Sequence, residues 1–349
     1  MIADIRVHSQ QLSETVFDSP GELIRWMGAM QAQDYQMAKW AVGLRVKSAT
    51  LQTVEEALRR GEILRTHVMR PTWHFVAAED IRWMLKLSAS RVKSANDSFV
   101  KGKNLGITKD LYLRCNDLFE KVLEGNKSLT KEEIGTELAK IGFEIDPVRI
   151  RYCLAQAEAD GIVCSGVDDG KKVTYALLEE RVSPVRELHR EEALARLAVS
   201  YFRGHSPAAL QDFVWWSGLS VTDARKAMDL IKGELIPERF ASCDLYVHNS
   251  CSRKPAVRNV LHFLPAYDEY LISYKEREAV MDRKHYPKAF NRWGTFYPVI
   301  LYNGKIIGNW SKKIRKGRMS VETSFFESVA LDQKLIEAAE ERYRNFIMS

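Results

Sequence analysis

The sequence predicts an α+β chain: three tandem helix-turn-helix units, each finished by a short two-stranded wing, then a small antiparallel sheet or β-barrel, then a terminal helix. Three observations predict it. A helix that runs into a glycine and on into β-branched or aromatic strands occurs three times, with the stop glycines at Gly61, Gly161 and Gly233. Beyond residue 255 the apolar period changes from helical to alternating. The length, 349 residues, corresponds to two or three domains at roughly 150 residues each.

In the first unit Ser19-Pro20 opens the helix GELIRWMGAM. TVEEALRR follows, with Thr53 as N-cap, Val54, Ala57 and Leu58 as apolar stripe and Gly61 as stop; Ile63 to Met69 and Trp73 to Val76 form the wing. EDIRWMLKLSASRVKSA and KDLYLRCNDLFEKVLEGN are connecting helices. In the second unit Thr130 opens KEEIGTELAKIG, with Glu133 completing a capping box. Asp146-Pro147 starts the next helix, Gly161 ends it, and Asp168-Asp169-Gly170 turns a hairpin. In the third, Ser206-Pro207 opens AALQDFVWW, Ser220 caps the second helix, Gly233 stops it, and Leu235 to Phe240 leads to a partner strand near Leu245 to Val247. The uneven spacing of the three glycines implies no solenoid. LHFLP, FYPVILYNGKIIGNW and MSVETSFF then read as strands, with Asn303-Gly304 the strongest hairpin signal, and ALDQKLIEAAEERYRNFIM as an amphipathic closing helix. These elements place the units at residues 1–100, 101–185 and 186–254, the sheet or barrel at 255–328 and the helix at 329–349.

Composition excludes several classes. Hydrophobic residues make up 46% and charged residues 28%, which fits neither a disordered nor a fibrous chain. No stretch of about 18 apolar residues occurs, and the start lacks a secretory pattern, so a cytoplasmic, nucleoid-associated protein without membrane contact is expected. The five cysteines (115, 153, 164, 243 and 251) form no C-x-x-C pair, so neither a disulfide framework nor a zinc site is signalled. The net charge of +6 is concentrated. Met281 to Arg318 carries ten Lys or Arg against one acid, interleaved with Trp293, Phe296 and Tyr297. That is the electrostatic footprint of a phosphate-backbone binder, although a solvated basic face has the same composition.

The segment MGAMQAQDYQMAKWAVGLR stands apart, because Gln31, Gln33 and Gln36 lie at the end of an apolar helix. On a helix Gln31 and Gln33 would point roughly 200° apart, whereas extended backbone puts both amides on one face. Two converging carboxamides can hold and orient one water without charge; helix-terminal glutamines capping carbonyls are the plainer alternative. Asp268-Glu269 in FLPAYDEYLISY is a rival, since paired acids hydrolyse glycosides when held several ångströms apart, but acids flanked by Tyr267 and Tyr270 can equally anchor structure. No H-E-x-x-H, G-x-S-x-G, P-loop or dinucleotide fingerprint is present.

QAQD from Gln31, the LRTHVMRPTWHFV run, HSPAALQDFVWWSGL from His205, LPAYDEYL and VILYNGKIIGNW occur in one order over nearly the whole chain. Together they resemble the AlkZ/YcaQ family of winged-helix DNA glycosylases, and Gln31-Ala32-Gln33 places the chain on the AlkZ-like, Q-x-Q side. The resemblance implies a C-shaped array of three winged helices with a small β-barrel, acting as a monomer on double-stranded DNA without a cofactor or metal. It implies excision of purines alkylated at N7, with Gln31 and Gln33 positioning the hydrolytic water. DNA contacts are expected from Arg65, His67 and Arg70 on the first wing and, by charge, from Arg283, Lys284, His285, Lys288, Arg292, Lys312, Lys313 and Arg315. Pro71 stands where relatives usually show glycine. A non-catalytic winged-helix regulator is the competing reading; it predicts a dimer on paired half-sites.

Overall fold

The computed structural model describes residues 1–348 except 169–171, 241, 242, 257, 316 and 317, and gives the backbone alone of 314, 315 and 318. It divides into two units, Met1–Glu55 with Leu194–Ser349, and Glu56–Ala193.

In the first unit Ser19 accepts the Glu22 N–H and Pro20 occupies the first turn of the helix Pro20–Met27. Gly28, at φ +80°, ends that helix, and a Cβ there would meet Ser200 Cβ at 2.8 Å. The backbone then runs extended as the strand Ala29–Gln31 before Asp34 caps the helix Tyr35–Gly43. The glutamines therefore do not end a helix as expected: Gln31 is extended and Gln36 belongs to the next helix. Further on, the helix expected from Ser206-Pro207 begins at Leu210. Ser206 is engaged elsewhere: its Oγ bonds Phe202 O and accepts the His248 N–H at 2.9 Å, while Ala208 bridges Tyr246. Ser220 caps Val221–Leu230, which stops three residues before Gly233. The strands Leu235–Phe240 and Cys243–His248 pair antiparallel in the register Leu235↔His248.

The C-terminal strands Leu261–Leu264, Val299–Tyr302, Lys305–Arg315 and Arg318–Phe325 form one antiparallel sheet in sequential neighbour order. The expected barrel is not closed. The first strand has four residues and the last has eight, and they lie at opposite edges of the sheet with no ladder between them among the described residues. Asn303 and Gly304 take the left-handed values, φ +47° and +78°, that a two-residue hairpin turn requires. Helix Gln333–Met348 closes the unit, packing Tyr343 and Phe346 on Trp40 at 5.1 Å between ring centroids. Trp40 and Trp310 donate their indole N–H groups to Phe263 O and Leu264 O, each at 2.7 Å, so this aromatic cluster is also polar-satisfied.

The second unit is entered by the helix Leu51–Arg59, whose start is held by reciprocal hydrogen bonds between Thr50 and Thr53, so Thr50, not Thr53, precedes it. Gly61, at φ +72°, leads into the hairpin Ile63–Val68 with Thr72–Ala77, register Ile63↔Ala77. The connecting helices are Ala78–Gly102 and Lys109–Leu123. The Thr130–Glu133 capping box forms, Asp146 caps Pro147–Ala159, and Val163–Ser165 pairs with Thr174–Leu177. Of the turn expected at Asp168-Asp169-Gly170, the last two residues lie outside the described ones. Phe119, Leu123, Ile134, Leu138, Cys153 and Leu154 form the centre of this unit's core, each large side chain contributing about 1.5–3 kcal/mol by leaving water.

Among the described residues no helix is long and apolar enough to cross a membrane, and no group of three or more His, Cys, Asp or Glu could hold a metal ion. All five cysteines are free thiols.

Candidate active site and basic surface

Gln31 is 5% exposed, and Gln33, two residues on, is exposed. The Gln31 side-chain Oε1 accepts the backbone N–H groups of Ala32 at 2.9 Å and Gln33 at 3.1 Å. The Gln31 amide is thus fixed by the turn that carries Gln33, and the rotamer of one residue is tied to the backbone of the other.

Beneath Gln31 lies a buried carboxylate that the sequence did not single out for this role. Glu269 Oε1 accepts the Gln31 N–H at 2.5 Å, and Oε2 accepts from Trp216 Nε1 at 3.2 Å and from Ser273 Oγ. His205 Nε2 lies 3.4 Å from Oε2, a contact of charge and dipole and not an aligned hydrogen bond. Burial alone would raise the Glu269 pKa; His205, the Ser273 hydroxyl and the Gln31 N–H outweigh it and bring it down to about 2, so the group is a carboxylate at working pH. Its neighbour Asp268 forms a two-pronged ion pair with Arg45, at 2.7 and 2.9 Å, with both side chains buried. The two acids are therefore anchors with fixed partners, and neither is a solvated member of a paired-acid site. Both lie in the motif LPAYDEYL, and His205 and Trp216 in HSPAALQDFVWW; the motifs were visible, but the contact that joins them to Gln31 spans 238 residues.

The cations of the 281–318 stretch are placed in the first unit, and Arg283, Lys284, His285 and Lys313 face carboxylates of the same chain. Arg283 pairs with Glu278 and, at 3.6 Å, with Glu276. Lys284 pairs with Glu327 and Asp282, and His285 reaches the same Glu327 at 3.1 Å while stacking on Phe326. Lys288 sits over the Phe326 ring and Arg292 over Trp293, which is 79% exposed. Lys312 and Lys313 lie opposite Val321 and Ser320 on the long hairpin, with Glu322 3.5 Å from Lys313. Arg315 continues that strand; its side chain lies outside the described residues.

In the second unit Arg65 is buried, with its guanidinium 4.5 Å from the Trp73 ring centre, and Arg70 is half-buried at the hairpin turn. His67 was expected to meet phosphate, and it is engaged by Glu158, whose role the sequence did not signal. Glu158 Oε2 takes His67 Nδ1 at 2.7 Å, and Oε1 takes the His67 backbone N–H at 2.9 Å and Thr66 Oγ1 at 2.5 Å. Burial pushes the Glu158 pKa up, but His67 and Thr66 more than offset it and the net shift is downward.

The first unit thus carries an interlocked Q-x-Q element and a basic hairpin. The chain belongs to the AlkZ-like DNA glycosylase family, whose model matches residues 24–346. An interstrand DNA cross-link repair glycosylase of Streptomyces sahachiroi is 22% identical over 319 residues, covering 87% of this chain and 85% of the relative. The solved structure of the Streptomyces sahachiroi DNA glycosylase AlkZ aligns with a TM-score of 0.80 at 18% identity, over 99% of this chain and 95% of that one. That likeness establishes the shared mixed α/β fold.

Proposed function

We propose that this DNA glycosylase hydrolyses the N-glycosidic bond of N7-alkylated purines in double-stranded DNA and leaves an abasic site, working as a monomer without a cofactor and in the cytoplasm at the nucleoid. The observation that carries the reading is the lock on Gln31: its amide oxygen is held by Ala32 and Gln33 and its backbone by Glu269, beside an accessible Gln33. Alkylation at N7 makes the purine cationic, so it departs without a general acid. What remains is to place water against an oxocarbenium-like sugar, and uncharged carboxamides in a fixed frame suit that task while being too weak as bases to attack an undamaged nucleotide. The description of the Streptomyces relative as a cross-link repair glycosylase supports alkylated DNA as the substrate class. The helix, helix and hairpin sequences are read as three winged-helix units at 1–100, 101–185 and 186–254 in a C-shaped array, with 255–328 and 329–349 completing the chain. Lys312, Lys313 and Arg315 on the hairpin, Arg283, Lys284, His285, Lys288 and Arg292 beside it, and Arg65, His67 and Arg70 on the first wing are the proposed DNA contacts.

The test is a duplex carrying one N7-methylguanine, incubated with the protein and then cleaved with alkali at abasic sites. Strand scission by the wild type, lost in Gln31→Ala with Gln33→Ala while DNA binding persists, is expected. Protein that binds the duplex but yields no scission above background overturns the proposal.

A further inference from the structure

The second unit contains a cleft of about 170 Å³ that lies entirely within residues 67–175. Its apolar walls are Pro71, Val92, Ala95, Phe99 and Ala155, and its polar residues are His67, Glu158, Arg151 and Asn96, with Tyr175 also lining it. Small residues open it: Ala95 on the helix Ala78–Gly102 and Ala155 on the helix Pro147–Ala159 leave room where those two helices pack together. The volume is well below the roughly 300–1,000 Å³ of pockets that take drug-sized ligands, which limits an occupant to a single ring system.

The chemistry of the floor is set by Glu158. This carboxylate is 2% exposed and fully engaged by Thr66 Oγ1, the His67 N–H and His67 Nδ1. A carboxylate only accepts, so Nδ1 carries the imidazole proton, and Nε2 is the nitrogen left to exchange hydrogen bonds. Among the described residues no protein group bonds Nε2, and the ring is held by Trp73, whose centroid is 3.8 Å away. With its Nδ1–H given to Glu158, a neutral imidazole offers Nε2 as an acceptor to the cleft, beside Phe99, 60% exposed at its wall, and this matches a flat heterocycle that bears an exocyclic amine.

We propose that this cleft is a binding pocket for a single nucleobase bearing an exocyclic amine, with the amine donating to His67 Nε2 and the ring lying between the Ala95–Phe99 and Ala155 walls. The choice of a nucleobase over other flat rings rests on the reading of the chain as a DNA glycosylase. The base arrives either as a free excised base or as an unstacked base still on its strand, and both present the same edge.

Adenosine, cytidine and thymidine are titrated into the full chain by ligand-observed NMR, beside a duplex with one unpaired adenine and its fully paired control. Adenosine and cytidine should bind saturably and thymidine at least about tenfold more weakly. Preference for the bulged duplex assigns the strand-borne source; nucleoside binding without that preference assigns the free base. Ala155→Phe, which fills the slot, should remove the binding. A mapping on the wild type guards against a folding defect in that variant: 8-azidoadenosine should crosslink to peptides containing Ala95–Phe99 or Arg151–Glu158. No saturable nucleoside binding, or crosslinks confined to other peptides, overturns the pocket. Because N7-methylguanine excision is scored separately, a chain that binds adenosine here without excising keeps the pocket and loses the proposed function, and the converse outcome does the reverse.

Discussion

The backbone N–H of Gln31 donates across 2.5 Å to Glu269, a carboxylate only 2% exposed and held on its other oxygen by Trp216 and Ser273. Glu269 is thus a positioning residue for the strand that carries Gln31. Glu269→Gln keeps the shape, loses the charge and turns one acceptor into a donor facing Gln31 or Trp216. Single-turnover excision should fall about ten- to a hundredfold, the range a small misplacement of a positioned group produces, with DNA affinity unchanged. Glu269→Ala strands three donors and should also cost about 3–5 kcal/mol of stability in chemical denaturation. A Glu269→Gln protein that excises at the wild-type rate removes this role.

Glu327 contacts both Lys284 and His285, two of the proposed DNA contacts. Its pKa is lowered first by the Lys284 hydrogen bond and then by His285, so it is ionised and competes with any incoming anion. Glu327→Gln should tighten duplex binding about two- to fivefold at low salt, the gain fading as salt screens the cations. Fluorescence anisotropy at two ionic strengths measures it, and weaker binding by the variant would show that Glu327 organises the surface instead of masking it.

What was legible in the sequence was local. Ser19, the Thr130–Glu133 box, Asp146 and Ser220 cap helices within three residues of themselves, and the Asn303-Gly304 turn needs no distant partner. Ser206 was misread as a helix start because its hydroxyl is taken by His248, 42 residues away. The barrel was not settled by strand patterning, since closure depends on whether the edge strands Leu261–Leu264 and Arg318–Phe325 meet, and alternation is the same in an open sheet. The Q-x-Q element was visible as composition, but Glu269 and Glu158 reach their partners over 238 and 91 residues, and no spacing rule links such pairs. The basic stretch was countable, whereas the engagement of Arg283, Lys284 and Lys313 by nearby acids is a property of the fold.

Gly28 sets the angle at which the helix Pro20–Met27 hands over to the strand of Gln31. At φ +80°, ψ −57° an L side chain is strained, and a Cβ would lie 2.8 Å from Ser200 Cβ. Gly28→Ala should therefore destabilise the chain by about 1–3 kcal/mol and slow excision through displacement of Gln31. Gly28→Ala with Ser200→Gly removes the clash but keeps the backbone strain, so a partial recovery in melting temperature is expected; full recovery would assign the whole effect to packing.

His262, on the strand Leu261–Leu264, supplies a pH dependence whose direction can be worked out. Burial, and then the charges of Arg342 and Arg45, bring its pKa down to about 3 from an ordinary 6.5. The folded chain therefore keeps this imidazole neutral where the unfolded chain protonates it. A group with a depressed folded pKa that is basic in this way is bound by more protons in the unfolded state between those two values, so stability rises with pH across that window and is fully present above about 6.5. The expected slope is about 1.4 kcal/mol per pH unit from this one residue. His262→Gln cannot take up the proton and should flatten that part of the profile. Urea denaturation of both proteins at pH 7.5, 6 and 5 measures the difference. Parallel profiles would mean that His262 accepts its proton in the folded state, with the strand opening enough to hydrate it.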